Sequence, residues 1–199
     1  MRMSGLILSL LACSGLMAQR FPVTGGLQVG LGIPVGGFAD KRDPSGAYLG
    51  ANEGGGVHFG GHLDFSFALH HQIRLVANVN GFASREQDLY GAGSYQGTRQ
   101  NAFSVAQLGA DYVCNLRSPS MGAYVLAGVS LNRVKAKADF SRYADTETTQ
   151  SGRFGARIGG GYTFNQVFSL EGHLNRVSVD LGYDALTWVG VSAVFRFGL

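Results

Sequence analysis

The sequence predicts an all-β protein, namely an eight-stranded antiparallel up-and-down transmembrane β-barrel. Three observations support this fold class: a leader-like N-terminus, a glycine-rich chain without a further long apolar run, and repeated segments in which apolar and polar residues alternate. The chain has 199 residues, of which 31 are glycine, and this length fits a single domain. Glycine disfavours helix interiors and suits turns and closely packed backbone.

The first eighteen residues have the layout of a secretory signal peptide. Arg2 supplies a short positive start, residues 6–12 form an apolar core, and Ala18 precedes a polar stretch. An apolar core of this length is too short to span a bilayer as a helix. We therefore expect residues 1–18 to be removed by cleavage after Ala18, which leaves residues 19–199 as the barrel domain.

An alternative for the leader is lipidation at Cys13, because the residues that precede it loosely resemble a lipobox. Beyond the leader, Cys114 is the only cysteine in the sequence, so the mature chain has no internal disulfide. The formal net charge of the whole chain is +3. This charge is too balanced to indicate a nucleic-acid partner.

Period-two alternation is the main evidence for strands. In residues 57–69 the odd positions are apolar or glycine, and the even positions include two histidines, an aspartate and a serine. Similar segments recur at lengths that suit a tilted membrane strand of about 9–11 residues. The eight predicted strands are 25–38, 57–69, 72–84, 100–115, 122–134, 151–164, 166–177 and 186–198.

The predicted connections alternate in length. Short ones lie near His70-His71, at 115–121 and at 165–166, whereas long polar ones lie at 39–55, 85–99, 136–150 and, less long, 178–185. Outer-membrane barrels combine short periplasmic turns with longer external loops. An even number of strands then places both termini on the periplasmic side.

Aromatic residues on the apolar faces gather at the strand ends near the short turns or near the C-terminus. Aromatic rings accumulate at the boundary between membrane and water, so this row is interpreted as the periplasmic aromatic girdle. Its members are Phe65, Phe67, Tyr112, Tyr162, Phe164, Phe168, Phe195 and Phe197.

Two segments resemble a known family. The C-terminal residues Val191, Ala193, Phe195, Phe197 and Leu199 resemble the outer-membrane assembly signal, with Leu199 where phenylalanine is usual. Residues 154–164, followed by Phe168-Ser169-Leu170-Glu171, resemble the small outer-membrane β-barrel superfamily of OmpA-type and opacity-type proteins. This resemblance implies an outer-membrane location, contact with lipid and lipopolysaccharide, and the barrel-insertion machinery as a partner during assembly. Since no OmpA-like periplasmic domain follows in the sequence, we do not expect peptidoglycan binding.

The polar faces of the predicted strands carry a balanced set of charges that would meet inside the barrel. An eight-stranded barrel is just wide enough for side chains to fill its interior, and a buried charge must be paired. We interpret the set as an ionic plug that closes the lumen. The alternative is a gate or a narrow ion path, which would make the protein a small pore. The set comprises Asp64, Asp111 and Glu171 with Arg74, Arg157 and Arg196.

No catalytic residue, metal site or cofactor is predicted. His58 and His62 share one face, but a strand separates positions i and i+4 by about 13 Å, which is too far for one ion. A distant alternative is a hydrolase of the kind that deacylates lipid A, in which a late strand carries adjacent His and Ser. Here Asn175 stands where that serine would be needed after His173, and Ser178 follows a change of phase.

The predicted external loops contain tyrosines among mixed charges. Exposed tyrosine beside arginine suits partner binding, and basic residues at the outer rim suit lipopolysaccharide phosphates. Ordinary solvated loops are the alternative. The candidate ligand contacts are Tyr48, Tyr90, Tyr95 and Tyr143, and their ligand is not identified by the sequence.

Overall fold

The structure is a computed structural model that describes residues 23–40, 50–51, 54–91, 94–141, 145–180 and 185–198. The leader with Cys13 and Ala18, the loop tyrosines Tyr48 and Tyr143, and Leu199 lie outside the described residues. Among the described residues, no helix is both long and apolar enough to cross a membrane.

Nine strands and one short helix make up the described chain. The strands are β1 (Val23–Pro34), β2 (Gly56–Ala68), β3 (His71–Ala83), β4 (Gln87–Gly91), β5 (Ser94–Asn115), β6 (Gly122–Phe140), β7 (Thr146–Thr163), β8 (Phe168–Ser178) and β9 (Ala185–Gly198), and the helix is α1 (Gly37–Asp40).

Eight of the strands close into one antiparallel ring, which confirms the predicted barrel. The order around the ring is β3-β2-β1-β9-β8-β7-β6-β5, and β5 pairs with β3 to complete it. The first and last barrel strands pair from Thr24 opposite Gly198 to Pro34 opposite Trp188. Each barrel strand therefore has a partner on both sides, and no sheet edge is left unpaired within the ring.

Two predicted loops are largely strand. Residues 85–99 contain β4, which forms a hairpin with the start of β5, and residues 136–150 contain the paired ends of β6 and β7, with Lys137 opposite Glu147. In these residues charged side chains alternate with small ones, or threonine is frequent, and threonine favours strands. Their polarity reflects exposure to water rather than an irregular backbone, so the predicted strands were too short on the side of the long loops.

The first strand ends earlier than predicted, at Pro34 rather than near residue 38. Proline lacks a backbone N–H and cannot continue a hydrogen-bonded ladder. Gly36 then adopts a positive φ of 61°, which glycine tolerates without steric cost, and the chain turns into α1. This turn directs Phe38 back over the barrel, where its side chain is fully buried.

The outward face of the ring is an apolar belt. Its side chains include Leu31, Phe59, Leu108 and Ile158, each between 61% and 67% exposed. A monomeric protein in water rarely exposes so large a continuous apolar surface, whereas the same surface is expected against lipid.

The aromatic residues predicted for the girdle also point outward. Seven of them are 39–48% exposed, and Phe168 is half-buried between the rings of Phe164 and Phe195, at centroid distances of 5.7 and 5.5 Å. They lie at the ends of strands beside the short turns or near the C-terminus. The period-two pattern therefore assigned the two faces correctly on every barrel strand.

Candidate functional site in the lumen and at the outer rim

An ionic layer crosses the lumen and is centred on Arg74. Asp64 lies directly opposite Arg74 in the β2–β3 register, and the Arg74 Nε donates to its Oδ1 at 2.7 Å. The Arg74 Nη1 reaches across the barrel to Glu171 Oε2 at 2.6 Å. The Tyr124 hydroxyl donates to the same Glu171 oxygen at 2.9 Å. One guanidinium therefore joins two carboxylates that come from distant strands.

A second ion pair joins Asp111 to Arg157. Gly128 lies between the two residues in the register of β5, β6 and β7, so their side chains meet over a position that has none. Both the Nε and the Nη2 of Arg157 donate to the Asp111 carboxylate. A Cβ on Gly128 would lie within 3 Å of the Asp111 carboxylate, so glycine is required for this contact.

Glycine plays the same role at other inward positions. A Cβ on Gly161 would collide with the Tyr124 hydroxyl, and one on Gly30 would collide with the His58 ring. Large polar side chains can thus lie flat across a neighbouring strand inside a narrow barrel. Much of the high glycine content therefore serves the packing of the lumen, in addition to the turns and bends expected from sequence.

Arg196 departs from the predicted pairing. Its side chain points into the lumen and is 6% exposed as a residue, but it forms no ion pair with a carboxylate of the described chain. Its Nη1 donates to the Pro119 carbonyl at 3.1 Å, and its guanidinium stacks on the Tyr124 ring at 5.4 Å. The reason is the register, because Gly26 of β1 lies opposite Arg196 and no acidic side chain follows on the next strand.

The lumen histidines lie beside different neighbours, and among the described residues only His58 is within hydrogen-bond distance of one. His58 Nε2 lies 2.9 Å from the Ser192 hydroxyl, His62 lies 3.7 Å from an Asp64 oxygen, and His173 lies 3.6 Å from a Glu171 oxygen. No three His, Cys, Asp or Glu side chains of the described residues are grouped as a metal ion would require.

The geometry does not form the His–Ser pair of a lipid-facing hydrolase. His173 is buried in the lumen, whereas Ser178 is exposed on the opposite face of β8. The two faces of a strand cannot bring side chains within the hydrogen-bond distance that a nucleophile and its base need.

An apolar cluster, which we call the outer plug, lies at the other end of the lumen. Phe38 of α1 packs edge-to-face on Phe82 and Phe103, with ring centroids 5.2 and 5.1 Å apart, and Trp188 packs on Phe82 at 5.4 Å. The described members are Phe38, Ala51, Phe82, Phe103, Val105, Val134, Val177, Val179, Leu186 and Trp188. Sequence analysis missed this cluster, although apolar residues at inward positions of β3, β5 and β9 are a signal that could have revealed it.

The outer rim brings two of the four candidate tyrosines together. Tyr90 of β4 lies opposite Tyr95 of β5, and their rings are 6.0 Å apart in an edge-to-face arrangement. They are 64% and 45% exposed, so the hairpin presents an aromatic pair to solvent.

Two outward arginines mark the upper boundary of the apolar belt. Arg133 follows Leu131 on β6, and Arg176 follows Leu174 on β8, on the same face. Within the described ranges neither guanidinium has an acidic partner. Farther out, Lys135 pairs with Glu147 at 3.6 Å, so the charge there is largely balanced.

The comparisons with solved structures identify the fold. The N-terminal β-barrel domain of Pseudomonas aeruginosa OprF superposes with a TM-score of 0.50 at 10% identity, covering 89% of this chain and 100% of that chain. The fold is that of the small outer-membrane β-barrels. The predicted resemblance to OmpA-type barrels is thereby confirmed at the level of fold.

Two further structures support the same fold. Ail, the attachment invasion locus protein of Yersinia pestis, in complex with the heparin analogue sucrose octasulfate, gives a TM-score of 0.57 at 11% identity and covers 88% and 99% of the two chains. Neisserial surface protein A gives 0.51 at 14% identity, with coverage of 89% and 97%. No protein-family model and no curated protein sequence matches the chain.

Proposed function

We propose that this chain is an outer-membrane β-barrel with a closed lumen, and that its role is structural or is exercised through its outer surface. The observation that supports this proposal best is the filling of the lumen at two levels. The ionic layer around Arg74 spans the interior, and the outer plug seals the end where α1 folds over the ring.

The fold, the apolar belt and the aromatic girdle support an outer-membrane location. In this arrangement the short turns face the periplasm and the β4–β5 hairpin faces the outside. The chain would be exported through the signal peptide, cleaved after Ala18. The barrel-insertion machinery would recognise the end of β9, where Val191, Phe195 and Phe197 face lipid. Deletion of residues 195–199 is expected to abolish insertion, measured by membrane fractionation.

At the outer surface we propose that lipopolysaccharide phosphates contact Arg133 and Arg176. A guanidinium at the edge of an apolar belt can bond a phosphate while the acyl chains cover the belt. The double change Arg133→Gln with Arg176→Gln should lower the stabilisation of the refolded barrel by added lipopolysaccharide. Lys135→Gln is the control, because Lys135 already pairs with Glu147 and its loss should have less effect.

An enzymatic role is not proposed, because the late-strand histidine and serine lie on opposite faces. The exposed Tyr90–Tyr95 pair offers an aromatic surface for a ligand at the outer rim. The central prediction of the proposal is therefore that the barrel is closed to ions.

Closure is tested by ion conductance of the purified, refolded protein in planar bilayers. The protein should insert, should migrate differently on gels before and after heating, and should conduct little. Steady, large conductance would favour the small-pore alternative, and recovery as a soluble periplasmic protein would refute the membrane assignment.

A further inference from the structure

A cavity of about 520 Å³ opens at the turn-side mouth of the lumen. Its lining combines polar residues, Ser66, Gln72 and Arg196, with apolar ones such as Ala68 and Leu69. Its volume lies in the range of small-ligand pockets. Nothing in the closure of the barrel or in the outer surface uses this cavity.

The three lumen arginines differ in what the Nε and Nη2 edge of the guanidinium contacts. Arg74 directs its Nε and Nη2 at the two oxygens of Asp64, and Arg157 directs the same two atoms at Asp111. In Arg196 these two atoms are buried and have no hydrogen-bond partner. This edge presents two parallel N–H donors that match a carboxylate.

An unpaired buried guanidinium is costly. Arg196 is 6% exposed, and its contacts in the described chain are the Pro119 carbonyl and the face of Tyr124. The Asp64 and Glu171 carboxylates attract it from beyond ion-pair distance. A buried charge that lacks a counter-ion loses hydration without full compensation. An anion in the cavity would relieve this cost.

Gln72 adds a second unsatisfied group to the same cavity. It is 3% exposed, its Nε2 donates to the Ser66 hydroxyl at 3.0 Å, and its Oε1 has no partner. Two donors for an anion and one acceptor for an N–H group therefore lie enclosed beside the mouth, and a ligand reaches them when these side chains turn toward the cavity.

We propose that the turn-side mouth binds the C-terminal carboxylate of a peptide. The carboxylate would accept hydrogen bonds from Nε and Nη2 of Arg196, a peptide N–H would donate to Gln72 Oε1, and the terminal side chain would contact Ala68 and Leu69. If the short turns face the periplasm, the ligand is a periplasmic peptide or the end of a protein chain.

The test is a titration of the ¹⁵N-labelled, refolded protein in micelles of an uncharged maltoside detergent, followed by the Arg196 Nε–H resonance. The probe is acetyl-Ala-Ala with a free carboxylate, and the matched control ligand is its carboxamide. We expect a saturable shift with the acid and none with the amide. Absence of a saturable shift, or an equal shift with the amide, would overturn the proposal.

Variants then separate a built site from general attraction of anions. Arg196→Gln should abolish binding, followed by the Gln72 side-chain amide resonances, and Gln72→Leu should weaken it roughly tenfold, the effect of losing about 1.4 kcal/mol. Arg117→Gln removes an exposed cation near the same mouth and should leave affinity unchanged. Equal loss in the Arg117 and Arg196 variants would reject the site. If Arg196→Gln does not refold, as judged by heat-dependent gel mobility, the wild-type titration still decides.

Discussion

The ionic layer and the outer plug fill the same lumen by different physical means. The layer around Arg74 buries charges that are held by directional contacts, with Arg74 and Glu171 both fully enclosed. The plug buries rings and branched side chains, among them Phe38 and Trp188, which pack without directional bonds. The two halves should therefore fail differently: loss of one ionic partner leaves an uncompensated charge, whereas loss of a plug residue leaves a cavity.

The largest effect is expected from Arg74→Met. This change leaves the buried carboxylates of Asp64 and Glu171 without the cation that joins them. The free energy of unfolding should fall by about 3–5 kcal/mol. The measurement is urea-induced unfolding of the refolded barrel in micelles, followed by the fluorescence of Trp188, the single tryptophan. Leu75→Met on the lipid face of the same strand is the control. A cost below about 1 kcal/mol would mean that water already hydrates the layer.

A somewhat smaller effect is expected from Trp188→Ala in the outer plug. Trp188 is fully buried. Its removal should lower the free energy of unfolding by about 3 kcal/mol, the lower end of the range for such changes. The low value is expected because water can enter the resulting cavity from the mouth. Unfolding is followed by circular dichroism, and Trp188→Phe should lose less. Conductance should stay low, because the ionic layer remains in place. A large rise in conductance would show that the plug alone closes the barrel.

The Asp111–Arg157 pair allows an ionic contact in the lumen to be replaced by an apolar one, so that both kinds of packing are compared at one position. Arg157→Met alone should cost about 3 kcal/mol, because it leaves Asp111 buried and unpaired. Adding Asp111→Leu should bring stability back to within about 1 kcal/mol of the wild type, since apolar replacement of a whole buried pair is often neutral. The readout is the same urea unfolding. If the double variant is less stable than Arg157→Met, the pair itself contributes net stability.

The smallest effect is expected from ion pairs outside the lumen, at the tip of the β6–β7 extension. Lys137 contacts Asp139 and lies 3.3 Å from Asp145. A hydrogen bond from the Phe140 backbone N–H, with the nearby Lys137 ammonium, lowers the pKa of Asp145. Hydrogen bonds to Asp139 and Asp145 raise the pKa of Lys137.

The sign of each shift sets the pH range in which this tip is most ordered. The contribution of Asp145 is present above its unfolded pKa and is lost as the pH falls through its lowered folded pKa. That of Lys137 is present below its unfolded pKa and is lost as the pH rises through its raised folded pKa. Amide exchange at the tip should therefore increase at both extremes, with little change in global unfolding, because exposed pairs contribute little. A global loss of stability that Asp145→Asn removes would contradict this.

The lipid-facing residues were predictable because each depends only on its own strand. Leu75 and Val79, for example, alternate with polar Arg74 and Asn78, and the structure places them on opposite faces. The hairpin ends were less predictable, since residues 136–150 alternate charged residues with small ones or are rich in threonine, with few of the large apolar residues of the other strands, and they pair nonetheless. Solvent exposure hides the strand signal that burial produces.

The pairing inside the lumen was not predictable. Arg74, Arg157 and Arg196 look alike in sequence, each an arginine among apolar neighbours, but only the first two meet a carboxylate. Whether a carboxylate is present depends on which residues the neighbouring strands bring to the same level, and on glycines such as Gly128 that let side chains lie across them.

The sequence by itself determined the number of barrel strands, which face of each meets lipid, and which ends carry the short turns. A period of two, turn residues and aromatic placement are local, so they can be read along the chain. The tertiary structure alone decided the partners of the lumen charges, the folding of Phe38 over the outer mouth, and the free edge of Arg196. These depend on how the ring closes and how its strands are staggered. Closure brings together residues that are far apart in the chain, such as Arg74 and Glu171, which are 97 positions apart, and no local pattern records that stagger.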